Sequence, residues 1–161
     1  MEWGPERKSD LWILDLKERK KTPFIATPFD EIEPQFSPDG RWLAFSSDES
    51  GQFELYLAPL PGPGEKLRVS TAGGSRPRWR RDGKELYYVS KDNRMTVVAM
   101  REGAGAELGP AESLFSLDAA GWRDYDVAAD GMKFLVVINA DDRRSSFISL
   151  TTNWRALLEQ R

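Results

Sequence analysis

The sequence predicts an all-β protein made of repeats of about 45 residues, each forming one four-stranded antiparallel blade of a β-propeller. Three Asp-Gly pairs support this prediction, because apolar runs flank each pair and the pairs lie 43 and 48 residues apart. An Asp-Gly pair between two apolar runs is typical of a tight hairpin turn, since glycine adopts the positive φ that such turns require. The pairs are Asp39-Gly40, Asp82-Gly83 and Asp130-Gly131, and we interpret all six residues as structural.

Large apolar residues occupy matching positions around the three turns. Three residues before each Asp stand, in order, Phe36, Trp79 and Val127. The runs after the turns are almost continuously apolar, which is typical of strands covered on both faces by neighbouring sheets. An immunoglobulin-like sandwich would explain the strands but not the repeated turn, and the apolar pattern lacks the 3.6-residue period of a helical solenoid.

A third strand and a shorter fourth strand are predicted after each hairpin. Third strands are predicted at residues 11–16, 53–58, 95–100 and 147–150, and fourth strands at 23–26, 66–70 and 113–116. The Pro/Gly-rich residues 59–64 and the Gly/Ala-rich residues 103–110 are predicted to be loops. The single propeller segment then divides into the last two strands of a blade (1–32), two full blades (33–73 and 74–118), a partial blade (119–152) and a short C-terminal helix (153–161).

About three blades make half of a six-bladed ring. Propellers close with four to eight blades, so three blades leave apolar faces and unpaired strand edges in water. We expect a homodimer in which two copies complete a six-bladed ring. The alternative is a fragment whose remaining blades lie elsewhere in a parent protein.

The composition favours binding over catalysis. The chain has no His and no Cys, so nucleophilic Ser-His and Cys-His systems and His-based metal sites are excluded. The net charge of −3, from 26 acidic and 23 basic residues, gives no basic excess for general nucleic-acid binding. The acidic pairs Asp48-Glu49 and Asp141-Asp142 lack the ligand spacing of a calcium loop. We expect no enzyme activity, no cofactor and no metal, and the sequence shows neither a signal-peptide pattern nor an apolar run long enough to span a membrane.

Three arginines around Trp79 are the candidate ligand-binding residues. Strand alternation places Arg76, Arg78 and Arg80 on one face of the first strand of a blade, which would face the central channel. One interpretation is a carboxylate or anion site, because arginine makes forked contacts with such groups. The other is a set of salt bridges between blades, because acidic and basic residues alternate at the equivalent positions of successive repeats. Trp122 lies outside the repeat pattern and is a candidate exposed aromatic contact.

Parts of the chain resemble a known family. Residues 36–51 (FSPDGRWLAFSSDESG), 55–66 (LYLAPLPGPGEK) and 70–90 (STAGGSRPRWRRDGKELYYVS) resemble TolB-like propeller repeats. More closely, they resemble the C-terminal propeller of bacterial membrane-anchored serine/threonine kinases, whose ending is similar to NWRALL at residues 153–158. The third repeat departs from the pattern, because Ala128-Ala129 replaces Ser-Pro before Asp130.

This resemblance implies a six-bladed propeller that senses or binds a protein or peptide, as an extracytoplasmic part of a larger signalling protein. No kinase motif occurs in the chain, so the resemblance does not imply kinase activity. The alternative function is an accessory propeller that gates substrate access to a serine peptidase. Fold alone does not decide between the two.

Overall fold

The computed structural model describes residues 8–102, 106–117 and 121–138, which form twelve strands and no helix. The all-β prediction is confirmed. The predicted strand at 147–150 and the predicted helix at 153–161 lie outside the described residues. The strands are β1 Leu11–Asp15, β2 Lys20–Ile25, β3 Glu31–Phe36, β4 Trp42–Ser47, β5 Glu54–Pro59, β6 Leu67–Arg68, β7 Gly74–Trp79, β8 Glu85–Ser90, β9 Arg94–Glu102, β10 Ala106–Ser116, β11 Trp122–Val127 and β12 Phe134–Ile138.

The strands form two four-stranded and two two-stranded sheets. The four-stranded sheets have the orders β3-β4-β5-β6 and β7-β8-β9-β10, so each strand lies beside the next one in the chain. The two-stranded sheets are β1-β2 and β11-β12. The pairs β1-β2, β4-β5, β8-β9 and β11-β12 are antiparallel, as in the predicted blades. No helix able to cross a membrane occurs among the described residues.

The chain divides into two compact units, Met1–Pro77 and Arg78–Arg161, and each has its own apolar core. In the first unit, the core includes Phe45 and Tyr56, whose rings stack with centroids 5.8 Å apart. In the second unit, the rings of Tyr87 and Phe134 meet edge to face at 5.3 Å. The apolar runs after the first two turns are buried on both faces, at residues 43–47 and 86–89, as expected for covered strands. The run after the third turn departs from this expectation, because β12 buries Phe134 but exposes Leu135, Val137 and Ile138.

The three Asp-Gly pairs form the same turn. The glycines have φ values of 69°, 74° and 71°. Each Asp carboxylate accepts a hydrogen bond from the backbone N–H two residues later, at 3.0 Å, 3.0 Å and 2.9 Å. Each glycine N–H also donates to the carbonyl three residues earlier. The third turn keeps this geometry without Ser-Pro, because the shared bonds use only the Asp side chain and the backbone.

The loop predicted at residues 103–110 is wrong from Ala106 onward, because β10 begins there and runs for 11 residues. Glu107 pairs with Arg101 and Leu108 with Met100, so the hairpin of β9 and β10 extends well beyond the predicted fourth strand. The register shifts between Leu108 and Ala111. This bulge accommodates Gly109 and Pro110, which favour loops when judged by local propensity alone.

Candidate binding surface on the first strands of the sheets

Two charged residues at equivalent repeat positions have an unusual backbone conformation. Glu33 on β3 and Arg76 on β7 both have φ of 57°, in the left-handed region that side-chain-bearing residues seldom adopt. Each stands six residues before the Asp of its turn. In β3 the register shifts between Ile32 and Gln35, so Glu33 lies in a bulge. Backbone strain of this kind costs about 1–3 kcal/mol and concentrates at functional positions.

Glu33 and Arg76 also contact each other within the first unit. The backbone N–H of Arg76 donates to Glu33 Oε2 at 2.6 Å, and Arg76 Nε lies 3.7 Å from Glu33 Oε1. The hydroxyl of Ser46 donates to the same carboxylate at 3.1 Å. Both charged side chains are about one-third exposed, at 30% for Glu33 and 35% for Arg76. This contact joins the first strands of two successive sheets and leaves part of each charged group open to solvent.

A second charged contact lies in the second unit. Arg78 Nη2 donates to Asp124 Oδ1 at 3.2 Å, and Asp124 also accepts the backbone N–H of Tyr125 at 2.9 Å. The guanidinium of Arg78 lies 5.6 Å from the centre of the Tyr125 ring, within the range of a cation–π contact. Asp124 is largely exposed, so the ion pair lies at the protein surface.

Arg80 differs from Arg76 and Arg78 in its partners, which belong to its own hairpin. Strand β7 ends at Trp79, and Arg80 turns back onto its own hairpin. Its guanidinium donates to both oxygens of Asp82 at 2.7 Å and lies 3.0 Å from Glu85 Oε1. The hydrogen bond from Arg80 lowers the pKa of Asp82 to about 2. Arg80 therefore stabilises the second turn, and its largely buried guanidinium is already occupied.

Trp122 is half-buried at the start of β11. It packs against the core of the second unit, next to the buried Tyr125. Its exposure is therefore intermediate between that of a core residue and that of the exposed aromatic contact that the sequence suggested.

Two buried carboxylates were not singled out from the sequence. Glu54 accepts hydrogen bonds from Gln52 Nε2, the Gly73 N–H and Arg68 Nη2 at 2.7, 3.0 and 2.9 Å, and from the Ser70 hydroxyl. Burial alone would raise the pKa of Glu54, but these hydrogen bonds outweigh burial and lower it.

Glu31 is the opposite case. Its Oε1 accepts a hydrogen bond from Thr27, while Oε2 has no partner within the described part of the chain. Burial raises the pKa of Glu31, and the Thr27 bond offsets this only in part. One sequence signal could have pointed to the two carboxylates. Their hydroxyl partners, Thr27 for Glu31 and Ser70 for Glu54, stand 43 residues apart, which is the spacing of the first two repeats.

Each unit has one ion pair of a kind that suits the recognition of a charged group. In the part of the chain that the structure describes, no group of three or more acidic side chains is placed to hold a metal ion. The partly exposed ion pairs, Glu33–Arg76 in the first unit and Arg78–Asp124 in the second, each present a guanidinium next to a carboxylate. Such groups can exchange an intramolecular partner for a charged group of a ligand.

The chain is similar to known proteins over part of their length. No family model matches the chain. It is 35% identical over 80 residues to an uncharacterised peptidase, YuxL, of Bacillus subtilis, covering 48% of this chain and 12% of that protein. It is 26% identical over 102 residues to an uncharacterised protein, Atu1656, of Agrobacterium fabrum, covering 56% of this chain and 35% of the relative. The chain thus spans about a third or less of the curated relatives that it matches.

Solved structures show the fold. A putative TolB from Agrobacterium tumefaciens superposes with a TM-score of 0.53 at 25% identity, covering 66% of this chain and 40% of the other. TolB from Acinetobacter baumannii gives 0.54 at 18% identity, covering 76% and 30%. An oligogalacturonate lyase from Vibrio parahaemolyticus gives 0.54 at 17% identity, covering 80% and 37%. The closer resemblance to kinase propellers stays a prediction, whereas the broader one is confirmed at the level of the fold: the described strands have the fold of part of a TolB-like β-propeller.

Proposed function

We propose that the chain is a non-catalytic binding module whose first strands recognise a protein or peptide partner. The observation that carries the proposal is the Glu33–Arg76 contact, in which two charged residues with strained backbones, each about one-third exposed, meet at equivalent positions of successive repeats. In a parent protein of the kinase type, this module would act as a sensor outside the cytoplasm.

The exposure of the ion pairs favours ligand exchange. A solvent-exposed ion pair contributes only about 0–1 kcal/mol, so a ligand can replace one of its partners at little cost. Arg76 and Arg78 provide planar donors that suit a carboxylate, and the ring of the buried Tyr125 helps to hold the Arg78 guanidinium in place. Acidic side chains, or the C-terminal carboxylate of a peptide, are therefore the ligand groups that each of these arginines fits best.

Panning a phage-displayed random peptide library on the full chain tests this proposal. We expect enrichment of acidic peptides and a loss of affinity of about tenfold or more in the double variant Arg76→Ala/Arg78→Ala, because a hydrogen bond to a charged group contributes about 1.5–3 kcal/mol. Arg41→Ala is the matched control, since Arg41 also forms an exposed ion pair, with Asp39 at 3.6 Å, but lies in a turn. Circular dichroism verifies that all variants fold. Equal binding of the selected peptides to the double variant, or no enrichment at all, would contradict the proposal.

The second candidate function is that of an accessory propeller beside a serine peptidase. The observation in its favour is the 35% identity over 80 residues to an uncharacterised peptidase of Bacillus subtilis. The test is whether the reading frame that encodes this chain also encodes an α/β-hydrolase domain. If it does, the partner of the propeller is a substrate peptide on its way to that domain. A kinase domain with a membrane-spanning segment in the same frame would instead support the sensor.

A further inference from the structure

Strand β1 has one buried and one exposed apolar face. Leu11 and Ile13 pack into the core of the first unit. The alternate residues Trp12, Leu14 and Leu16, at and just beyond the end of the strand, are 47%, 63% and 81% exposed. Three large apolar side chains at alternating positions form a continuous face, and such a face marks an interaction surface.

Strand β12 shows the same asymmetry in the second unit. Phe134 and Val136 pack into the core of that unit, whereas Leu135 and Val137 on the other face are 71% and 50% exposed. Each of the two two-stranded sheets therefore has an exposed apolar face among the described residues. A flat apolar strand with an open edge is also a template for pairing with another strand.

The four-stranded sheets show which neighbouring strand each two-stranded sheet would need to form a four-stranded blade. In both four-stranded sheets the second strand pairs with the third, β4 with β5 and β8 with β9. Strand β12 follows the Asp-Gly turn at Asp130, so it corresponds to a second strand, and within the described residues it pairs only with β11. Strand β1 corresponds to the third strand β5, because DLWILDL at residues 10–16 matches ELYLAPL at 54–60. Within the described residues β1 pairs only with β2.

We propose that β12 of one copy pairs with β1 of a second copy, so that two chains complete two four-stranded blades between them. The register follows from β4 and β5, where Trp42 lies opposite Pro59, Ala44 opposite Leu57 and Ser46 opposite Leu55. Transferred to the equivalent positions, this register places Lys133 opposite Asp15, Leu135 opposite Ile13 and Val137 opposite Leu11.

The side chains in this register are complementary. Lys133 and Asp15 carry opposite charges, a favourable cross-strand pair. Leu135 and Val137 of one copy share a face with Ile13 and Leu11 of the other. On that face the first unit has a cavity of about 500 Å³, whose lining includes Phe24, Phe36 and Leu43, and the incoming side chains would occupy part of it.

The opposite face is complementary in the same register. Val136 lies opposite Trp12, and Phe134 lies opposite Leu14. The exposed face of β1 thus joins the apolar core to which Phe134 and Val136 already belong in the other copy. The interface covers the exposed residues of both strands together.

A second copy is the occupant that the complementarity of β1 and β12 favours, because Lys133 meets Asp15 and the exposed apolar residues of each strand meet apolar residues of the other. Pairing of β12 with β1 of the same chain would close a ring of three blades, fewer than the four to eight of known propellers. A two-fold dimer uses the same contact twice, since each copy contributes one β1 and one β12. This inference does not depend on the proposed ligand.

Disulfide cross-linking tests the register, because the chain has no cysteine of its own. Asp15→Cys and Lys133→Cys are prepared as two separate full-length variants, mixed, and oxidised. Opposite residues on antiparallel strands have Cα atoms about 4.5–5.5 Å apart, within the range that a disulfide spans. We expect a covalent dimer of twice the 18.3 kDa chain mass on a non-reducing gel. The control mixture pairs Asp15→Cys with Arg123→Cys, an exposed position on β11, and is expected to cross-link much less.

Light scattering and charge reversal complete the test. The unmodified chain is expected to have twice the chain mass in solution. Asp15→Lys and Lys133→Asp are each expected to weaken the dimer, and the double variant to restore it, because the opposite charges are then regained. A monomer, aggregates, or a dimer without the specific cross-link would overturn the proposal. The last result would mean that β12 is covered by another segment, such as the strand predicted at 147–150, or by blades of a longer protein.

Discussion

The hydroxyl of Tyr87 lies against the backbone of Gly131, where a Cβ atom at residue 131 would stand. The same hydroxyl donates to the carboxylate of Glu85, which also pairs with Arg80 at 3.0 Å. The third Asp-Gly turn is therefore packed against a polar network that belongs to the second repeat. Glycine is required at this position for two reasons, its φ of 71° and the closeness of Tyr87.

Gly131→Ala is therefore expected to destabilise the protein more than Gly40→Ala does. Both glycines have left-handed φ, which costs an alanine about 1–2 kcal/mol. No atom lies within 4 Å of a Cβ at residue 40, whereas a Cβ at residue 131 overlaps the Tyr87 hydroxyl and meets Arg80 Cδ at 3.1 Å. Overpacking adds about 1–3 kcal/mol, so we expect a total of about 2–5 kcal/mol for Gly131→Ala.

Urea unfolding at one fixed protein concentration measures both variants, since an oligomer's stability depends on concentration. Equal losses for the two alanines would show that the contact between Tyr87 and Gly131 imposes no constraint. The double variant Gly131→Ala/Tyr87→Phe lacks the overlapping hydroxyl. Gly131→Ala is therefore expected to lower the free energy of unfolding less in the Tyr87→Phe background than in the parent protein.

Glu54→Gln is expected to destabilise the protein at neutral pH. The carboxylate accepts four hydrogen bonds, and an amide replaces one acceptor oxygen with a donor that faces other donors. Loss of such bonds in a buried position costs about 2–4 kcal/mol. The pKa of Glu54 is lowered, so its stabilisation is present above the unfolded pKa of about 4.3 and is lost as the pH falls through the folded value. The difference in unfolding free energy between the two proteins should therefore shrink in acid.

Glu31→Gln is expected to have the opposite pH dependence. Burial raises the pKa of Glu31, Asp10 adds to this, and Thr27 and Lys66 oppose it. A raised pKa favours the protonated carboxyl in the folded state, so the folded protein loses stability as the pH rises from the unfolded to the folded pKa. The neutral amide removes that loss. Chemical unfolding at pH 4 and pH 7 should show that the variant gains stability over the parent as the pH rises, and a constant difference would contradict this account.

The sequence predicts best what local chemistry determines. The turns follow from Asp39, Asp82 and Asp130, because each carboxylate bonds a backbone N–H two residues away and each following glycine supplies positive φ. The apolar run at residues 134–138 predicts the strand β12, but it does not predict that Leu135 and Val137 are exposed.

What the sequence could not reveal depends on distant partners. The left-handed φ of Arg76 goes with a bond from its N–H to Glu33, which is 43 residues away. Strict alternation along β7 predicts three equivalent arginines, whereas the end of the strand at Trp79 leaves Arg80 to bond Asp82 and Glu85. Glu54 can be buried because the Ser70 hydroxyl and the Gly73 N–H donate hydrogen bonds to its carboxylate. No local sequence pattern predicts these bonds, since the donors are 16 and 19 residues away.

Removal of Arg80 is expected to raise the pKa of Asp82. The hydrogen bonds from Arg80 are the largest cause of the low value of about 2, so in Arg80→Ala the pKa should return toward 3.8. A lowered pKa stabilises the folded state above the unfolded pKa, and this contribution is lost as the pH falls through about 2. Its size is small, because nearly half of the Asp82 side chain is exposed.

Carbon-detected NMR titration of the carboxyl groups measures this effect directly. Asp39 is the internal control, because its pKa is lowered mainly by the Ser37 hydroxyl and should not change in Arg80→Ala. An unchanged Asp82 pKa in the variant would mean that Arg80 does not hold the carboxylate in solution.

The Glu33–Arg76 ion pair is expected to be weakly coupled. A double-mutant cycle with Glu33→Gln and Arg76→Met isolates the interaction between the side chains, because the Arg76 N–H bond to residue 33 is available in all four proteins. At 3.7 Å and with both side chains about one-third exposed, the pair should contribute less than about 1 kcal/mol, and less still at high salt. A coupling of several kcal/mol would indicate a structural ion pair that a ligand cannot displace. A weak coupling combined with loss of peptide binding in the Arg76 variant separates recognition from stability.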